Sequence, residues 1–282
     1  DGFLHVTPPH HYRYSQENED EDMFTSRLAD ELEAMILKEG PDTIAAFFTE
    51  PIMGSGGVIV PPDTYYEKIQ VVLKKYDILL VADEVITAFG RTGNMFGTTT
   101  MKLVPDMIVC AKGLSSAYLP ISALMINERV FKEMSEKSDE IGVFGLTFTY
   151  SGHPVSAKVA IETLKIYEEK NIVEHVRQME PFLLNGLREL SYHPLVGEIR
   201  GKGLLAGVEL VANKKTKKAF DPKLGVGKFC AERAEHHGLI IRAIGDTISF
   251  CPPLIIKENE IALMISLFKK ALDDTLVMKS ET

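Results

Sequence analysis

Ile78-Leu79-Leu80-Val81-Ala82-Asp83-Glu84 and Met107-Ile108-Val109-Cys110-Ala111-Lys112-Gly113 decide the fold. Each is a short, fully apolar run that ends on an ionisable side chain, and 29 positions separate Asp83 from Lys112. Runs of this length without alternation read as strands buried on both faces, the pattern of a parallel sheet flanked by helices. Between such strands lie segments of helical period. Phe24, Leu28, Leu32, Met35 and Ile36 recur at that spacing from Met23 to Lys38, and Gly40-Pro41 ends the pattern. Ile44 to Thr49 reads as a further strand and Thr64 to Lys75 as a helix. The fold class is therefore α/β, with a mainly parallel sheet covered by helices. Helical patterns at Val155–Glu168 and Ile172–Leu190 lead to strands at Gly203–Leu210, Leu239–Arg242 and Thr247–Cys251, closed by a helix over Glu258–Leu272. This divides the chain into a larger α/β domain at 1–172 and a smaller α+β domain at 173–282.

Composition narrows the function. The 282 residues are 45% hydrophobic, enough for a large core, and carry a net charge of −9. Phosphate backbones are held by clustered Lys and Arg, which are dispersed here, so nucleic acid is not expected as a ligand. The acidic run Glu17–Asp22 reads as a solvated loop. Cys110, Cys230 and Cys251 form neither a metal spacing nor a disulfide framework, and a reducing, cytoplasmic setting is expected. No apolar run is long enough to span a bilayer, and no signal peptide is read at the start. His10-His11 and His236-His237 are sequence neighbours whose rings point apart, so no metal is expected.

In open α/β sheets ligands bind beyond the carboxyl ends of the strands. An amine and a carboxylate delivered there are what pyridoxal phosphate chemistry uses: the lysine joins the cofactor, and the acid keeps its pyridine nitrogen protonated. A surface lysine and a capping acid would produce the same two letters. Four stretches, two of them holding these residues, add context: Thr49-Glu50-Pro51-Ile52-Met53-Gly54-Ser55-Gly56-Gly57, Val81-Ala82-Asp83-Glu84-Val85-Ile86 followed by Phe89-Gly90-Arg91-Thr92-Gly93, Ala111-Lys112-Gly113-Leu114, and Phe148-Thr149-Tyr150-Ser151-Gly152-His153-Pro154. In content, order and spacing they resemble the class III aminotransferases of the fold-type I pyridoxal phosphate family. Linked motifs in register are far more specific than any one alone.

The resemblance implies a homodimer with active sites between subunits. It implies Lys112 as the cofactor-bearing catalytic lysine, Asp83 at the ring nitrogen, Val85 against one ring face, and Thr149 lent to the neighbouring subunit's phosphate site. Asp1 to Pro9 resembles a stretch that the family places inside its large domain, so the sequence reads as the carboxyl-terminal portion of such a protein. The phosphate-cradling glycine-serine loop and the ring-stacking aromatic residue would lie before it. Ser55 stands where the 2-oxoglutarate-dependent branch has a second glutamate, and Ser249 falls near that branch's fixed arginine. Arg242 instead resembles the mobile arginine of amine:pyruvate aminotransferases, whose fork can bind a carboxylate or swing away from an uncharged amine. The implied reaction moves an amino group from an ω-amino acid or amine, such as γ-aminobutyrate, β-alanine or putrescine, to pyruvate by a ping-pong route. An aminomutase or decarboxylase on the same fold, or a truncated inactive chain, is the alternative. Ser122 and Gly145-Leu146-Thr147 depart from the branch's usual residues. Gly201-Lys202-Gly203-Leu204-Leu205-Ala206 meets a lax dinucleotide pattern, but the alternation that continues through Leu210 reads as strand.

Overall fold

The computed structural model describes residues 2–146 and 148–281; the readings of Asp1 and Thr147 lie outside the described residues. In chain order come α1 (His11–Tyr14), α2 (Glu21–Glu39), β1 (Ala46–Thr49), α3 (Tyr65–Lys75), β2 (Leu79–Asp83), α4 (Gly97–Met101), β3 (Met107–Cys110), β4 (Ala123–Ile126), α5 (Glu128–Ile141) and α6 (Pro154–Glu169). The acidic run is not simply a solvated loop. The Asp20 side chain caps α2 by accepting from the Met23 amide, and Glu21 and Asp22 occupy the positive first turn. The apolar stripe of α2, with Phe24, Leu28, Leu32 and Ile36, packs on Tyr65, Tyr66 and Ile69 of α3.

The first sheet has the order β1-β2-β3-β4, parallel across β1, β2 and β3, with β4 antiparallel at the far edge. Asp83 lies opposite Val109, so β2 and β3 end together and bring Asp83 and Lys112 to one edge. The expectation of a sheet covered on both faces holds best at β2, whose central residues are buried. Phe48 on β1 and Leu124 on β4 are exposed, and no described residue of α5 is buried.

Beyond α7 (Ile172–Arg188) come β5 (Val196–Lys202), β6 (Leu205–Leu210), α8 (Val226–His236), β7 (Arg242–Ile244), β8 (Thr247–Phe250) and α9 (Glu258–Glu281). The strands form an antiparallel sheet in the order β5-β6-β8-β7. Its core packs Leu183 and Leu187 of α7 and Phe268 of α9 against Val208 and Phe250, with the Phe250 and Phe268 rings edge to face at 4.9 Å. Gly201 to Ala206 forms the β5–β6 hairpin and not the opening of a helix, so the dinucleotide pattern is a strand turn. No described helix is long and apolar enough to cross a membrane.

Candidate active site

At the end of β2, strand alternation sends neighbouring acids to opposite sides. Glu84 goes inward and is wholly buried, accepting hydrogen bonds from the amides of Gly97 (2.7 Å) and Thr98 (2.6 Å) and from the Thr87 hydroxyl (2.6 Å). It thereby ties the strand end to the first turn of α4. Asp83 is half-buried on the other side, and one of its oxygens accepts the Val85 amide at 2.9 Å.

At the end of β3 the chain turns sharply. Lys112 has φ +42°, a left-handed conformation that a residue with a Cβ adopts only where its surroundings impose it. Those surroundings are visible. A Cβ on Gly113 would lie 3.1 Å from the Phe89 ring, and the Gly113 carbonyl accepts the Tyr167 hydroxyl at 2.7 Å. The Ser115 hydroxyl then donates to the Leu119 carbonyl at 2.6 Å. The lysine is thus launched from a fixed turn.

Lys112 and Val85 line a cleft of about 660 Å³ together with Gly54, Ser55, Arg242 and Ser249. Arg242 opens β7 and pairs in register with Ser249 of β8, so the two positions stand side by side on the cleft wall. Asp83 sits beside this lining, two residues before Val85. Glu50, after β1, holds the Gly54 amide at 2.9 Å. Burial pushes the Glu50 carboxyl up, the Gly54 hydrogen bond lowers it, Asp83 adds to the rise and Lys112 opposes it. Glu50, Asp83 and Lys112 therefore form one electrostatic group.

Of the residues predicted from sequence, the structure brings Lys112, Val85 and Arg242 to one cleft with Asp83 next to them. Thr149 is elsewhere, on an exposed loop between exposed Phe148 and Tyr150. Sequence reasoning missed Glu84, whose only signal was its adjacency to Asp83. It also gave no role of its own to Arg91, which lines the cleft and donates to the carbonyls of Leu204 (2.9 Å) and Pro252 (2.6 Å), linking the segment after β2 to the second sheet.

A family model for class III aminotransferases matches residues 2–272. A chloroplastic γ-aminobutyrate transaminase 3 of Solanum lycopersicum is 50% identical over 272 residues, covering 96% of this chain and 52% of the relative. A probable mitochondrial γ-aminobutyrate transaminase 3 of Oryza sativa subsp. indica is 51% identical, covering 96% of this chain and 53% of the relative. Among solved structures, the ω-transaminase from Pseudomonas jessenii in complex with PMP superposes with a TM-score of 0.94 at 55% identity, covering 97% of this chain and 60% of that one. The chain spans about half the length of the curated relatives it matches. Relatives named as chloroplastic and mitochondrial overturn the expectation of a cytoplasmic location. Three cysteines without a disulfide framework do not distinguish one compartment from another.

Proposed function

The chain belongs to the class III aminotransferases, and from that premise we propose that it transfers an amino group from an ω-amino acid or amine, such as γ-aminobutyrate, β-alanine or putrescine, to pyruvate by a ping-pong route. The observation that carries this reading is the cleft shared by Lys112, Val85 and Arg242 at the strand end that also bears Asp83.

The donor set fits the ring of pyridoxal 5′-phosphate: a primary amine on a fixed turn, a carboxylate held by a backbone amide, and an apolar side chain between them in the chain. When bound, that group supplies a carbonyl for the amine and a cationic ring that accepts electrons from the substrate carbon. Asp83 would favour the protonated ring nitrogen through its charge. Lys112 would carry the cofactor and, once displaced by substrate, move a proton at the reacting carbon as general base and then general acid. Arg242, exposed at the start of its strand, would grip a substrate carboxylate with its fork. Thr149, on its exposed loop, would serve the phosphate site of a second copy in a homodimer. Residues 1–172 would act as part of the larger cofactor domain and 173–282 as the smaller one.

The test is to incubate the protein with pyridoxal phosphate, reduce it with borohydride and locate the adduct by peptide mass spectrometry. Label confined to Lys112, lost on prior incubation with an amine donor and regained with pyruvate, supports the reading; scattered labelling of surface lysines overturns it. Arg242→Ala separates substrates. KM for pyruvate and for γ-aminobutyrate is expected to rise about 10- to 100-fold, the worth of a charge-assisted hydrogen bond or two, while a carboxylate-free amine keeps its KM. An equal rise for all three in steady-state kinetics would remove Arg242 from carboxylate binding.

A further inference from the structure

The strand registers of the second sheet place Arg200, Gly207, Ser249 and Arg242 in one row across β5, β6, β8 and β7. Residues directly opposite in antiparallel strands share a face, so the row runs from a half-buried arginine at one edge to the cleft arginine at the other. Two positions along, the next row on the same face sets Glu198 opposite Glu209, and two facing carboxylates repel unless a cation lies between them. Arg200 is that cation. Its Nη1 donates to Glu198 at 2.5 Å and to Glu209 at 2.7 Å, and Arg13 and His10 complete the group from the amino-terminal segment.

The rest of the guanidinium reaches out of the sheet. Nε donates to the Val58 carbonyl at 2.9 Å and Nη2 to the Gly57 carbonyl at 2.6 Å. These two carbonyls belong to a turn with φ +114° at Gly57 and +53° at Val58, and for a β-branched residue that is a conformation imposed from outside. The turn is closed by the Met53–Ile59 bridge and by hydrogen bonds that the Gly57 and Val58 amides donate to the Gly54 carbonyl. It lies against Gly207, where a Cβ would meet Val58 Cβ at 3.0 Å and the Gly57 oxygen at 3.2 Å. Gly54 and Ser55, at the other side of the same turn, line the cleft with Lys112 and Arg242.

We propose that Arg200 is a positioning residue for substrate binding: its fork fixes the Gly54–Val58 turn on the second sheet and so sets the cleft wall formed by Gly54 and Ser55. It touches no reacting atom. The inference rests on the functional reading above only for its kinetic consequence, since the turn itself is observable without turnover.

Arg200→Lys keeps a cation between Glu198 and Glu209 but cannot supply both carbonyl bonds, so charge and fork are separated. In the protein's full chain, hydrogen exchange at the amides of Gly54, Gly57, Val58 and Ile59 is expected to accelerate at least about tenfold, the loss of one charged hydrogen bond. Exchange in β2 and β3 stays as in the wild type. KM for pyruvate rises by a similar factor, with kcat changed much less; a merely structural role would lower the active fraction and leave KM alone. Gly207→Ala leaves the Arg200 side chain in place but pushes the Gly57 and Val58 carbonyls off its fork, and it gives the same pair of effects, which carries the test should the lysine variant not fold. Wild-type exchange at these amides in both variants overturns the proposal, as does faster exchange with KM unmoved. A wild-type protein without transamination would sink the functional reading, and the exchange result would still decide whether Arg200 holds the turn.

Discussion

Lys112→Ala is expected to abolish transamination, with kcat lowered on the order of 10³-fold or more, because one side chain serves both as cofactor attachment and as proton carrier. The fold should be indifferent to the change. The strain at φ +42° is a backbone property that alanine bears as lysine does, and the Phe89 and Tyr167 contacts that impose it are made by Gly113 and not by the lysine side chain. Unaltered thermal unfolding together with lost turnover is thus the diagnostic pair. Added small alkylamines, which can enter the vacated space, should return part of the proton-transfer rate. A variant that keeps more than a tenth of wild-type kcat would show that Lys112 is not the catalytic amine.

The largest effect on stability is expected at Glu84. Alanine there would leave the amides of Gly97 and Thr98 and the Thr87 hydroxyl without their acceptor in a fully buried site. Orphaned buried donors cost about 1–3 kcal/mol each, not fully additive, so a loss of about 3–5 kcal/mol is expected from the midpoint of denaturant unfolding. Glutamine, which retains one acceptor oxygen, should lose less. Since Glu84 anchors the strand end that carries Asp83, the alanine variant should also lose turnover in the fraction that remains folded. A loss below about 1 kcal/mol would mean that water or a shifted side chain replaces the carboxylate readily.

Much of the fold is legible in the sequence. Strands whose central residues are buried, such as β2, and helices with a single apolar stripe, such as α2, were legible because burial on that scale leaves a periodic record. β5 was not, since Val196-Gly197-Glu198-Ile199-Arg200-Gly201-Lys202 intersperses charges and glycines that look like a loop. Glu198 is satisfied by His10, far away in sequence, and Arg200 by Glu209 on the next strand and by the Gly57 and Val58 carbonyls, which no local window contains. β4, α5 and α8 were missed for the related reason that they bury little or present mixed faces. In the site, Lys112, Asp83, Val85 and Arg242 stood out through motifs. The support beneath them did not: Glu84 looks like a second acid in a pair, and the hold of Arg200 on Gly57 and Val58 spans more than 140 positions.

Among the described residues β1 pairs only with β2, and that open flank bears on how the molecule behaves on the bench. An unpaired strand edge with exposed Phe48 on the strand is a template for another extended chain. A further extended segment, from a longer form of the protein or from a second copy, would add at that edge, and self-association is the outcome expected when no such segment fills it. Loss of soluble material on storage should steepen with concentration, and light scattering should rise while circular dichroism still reports native helix. Dilution and a few added charges along Ala46–Thr49 would prolong shelf life more than any improvement of the interior.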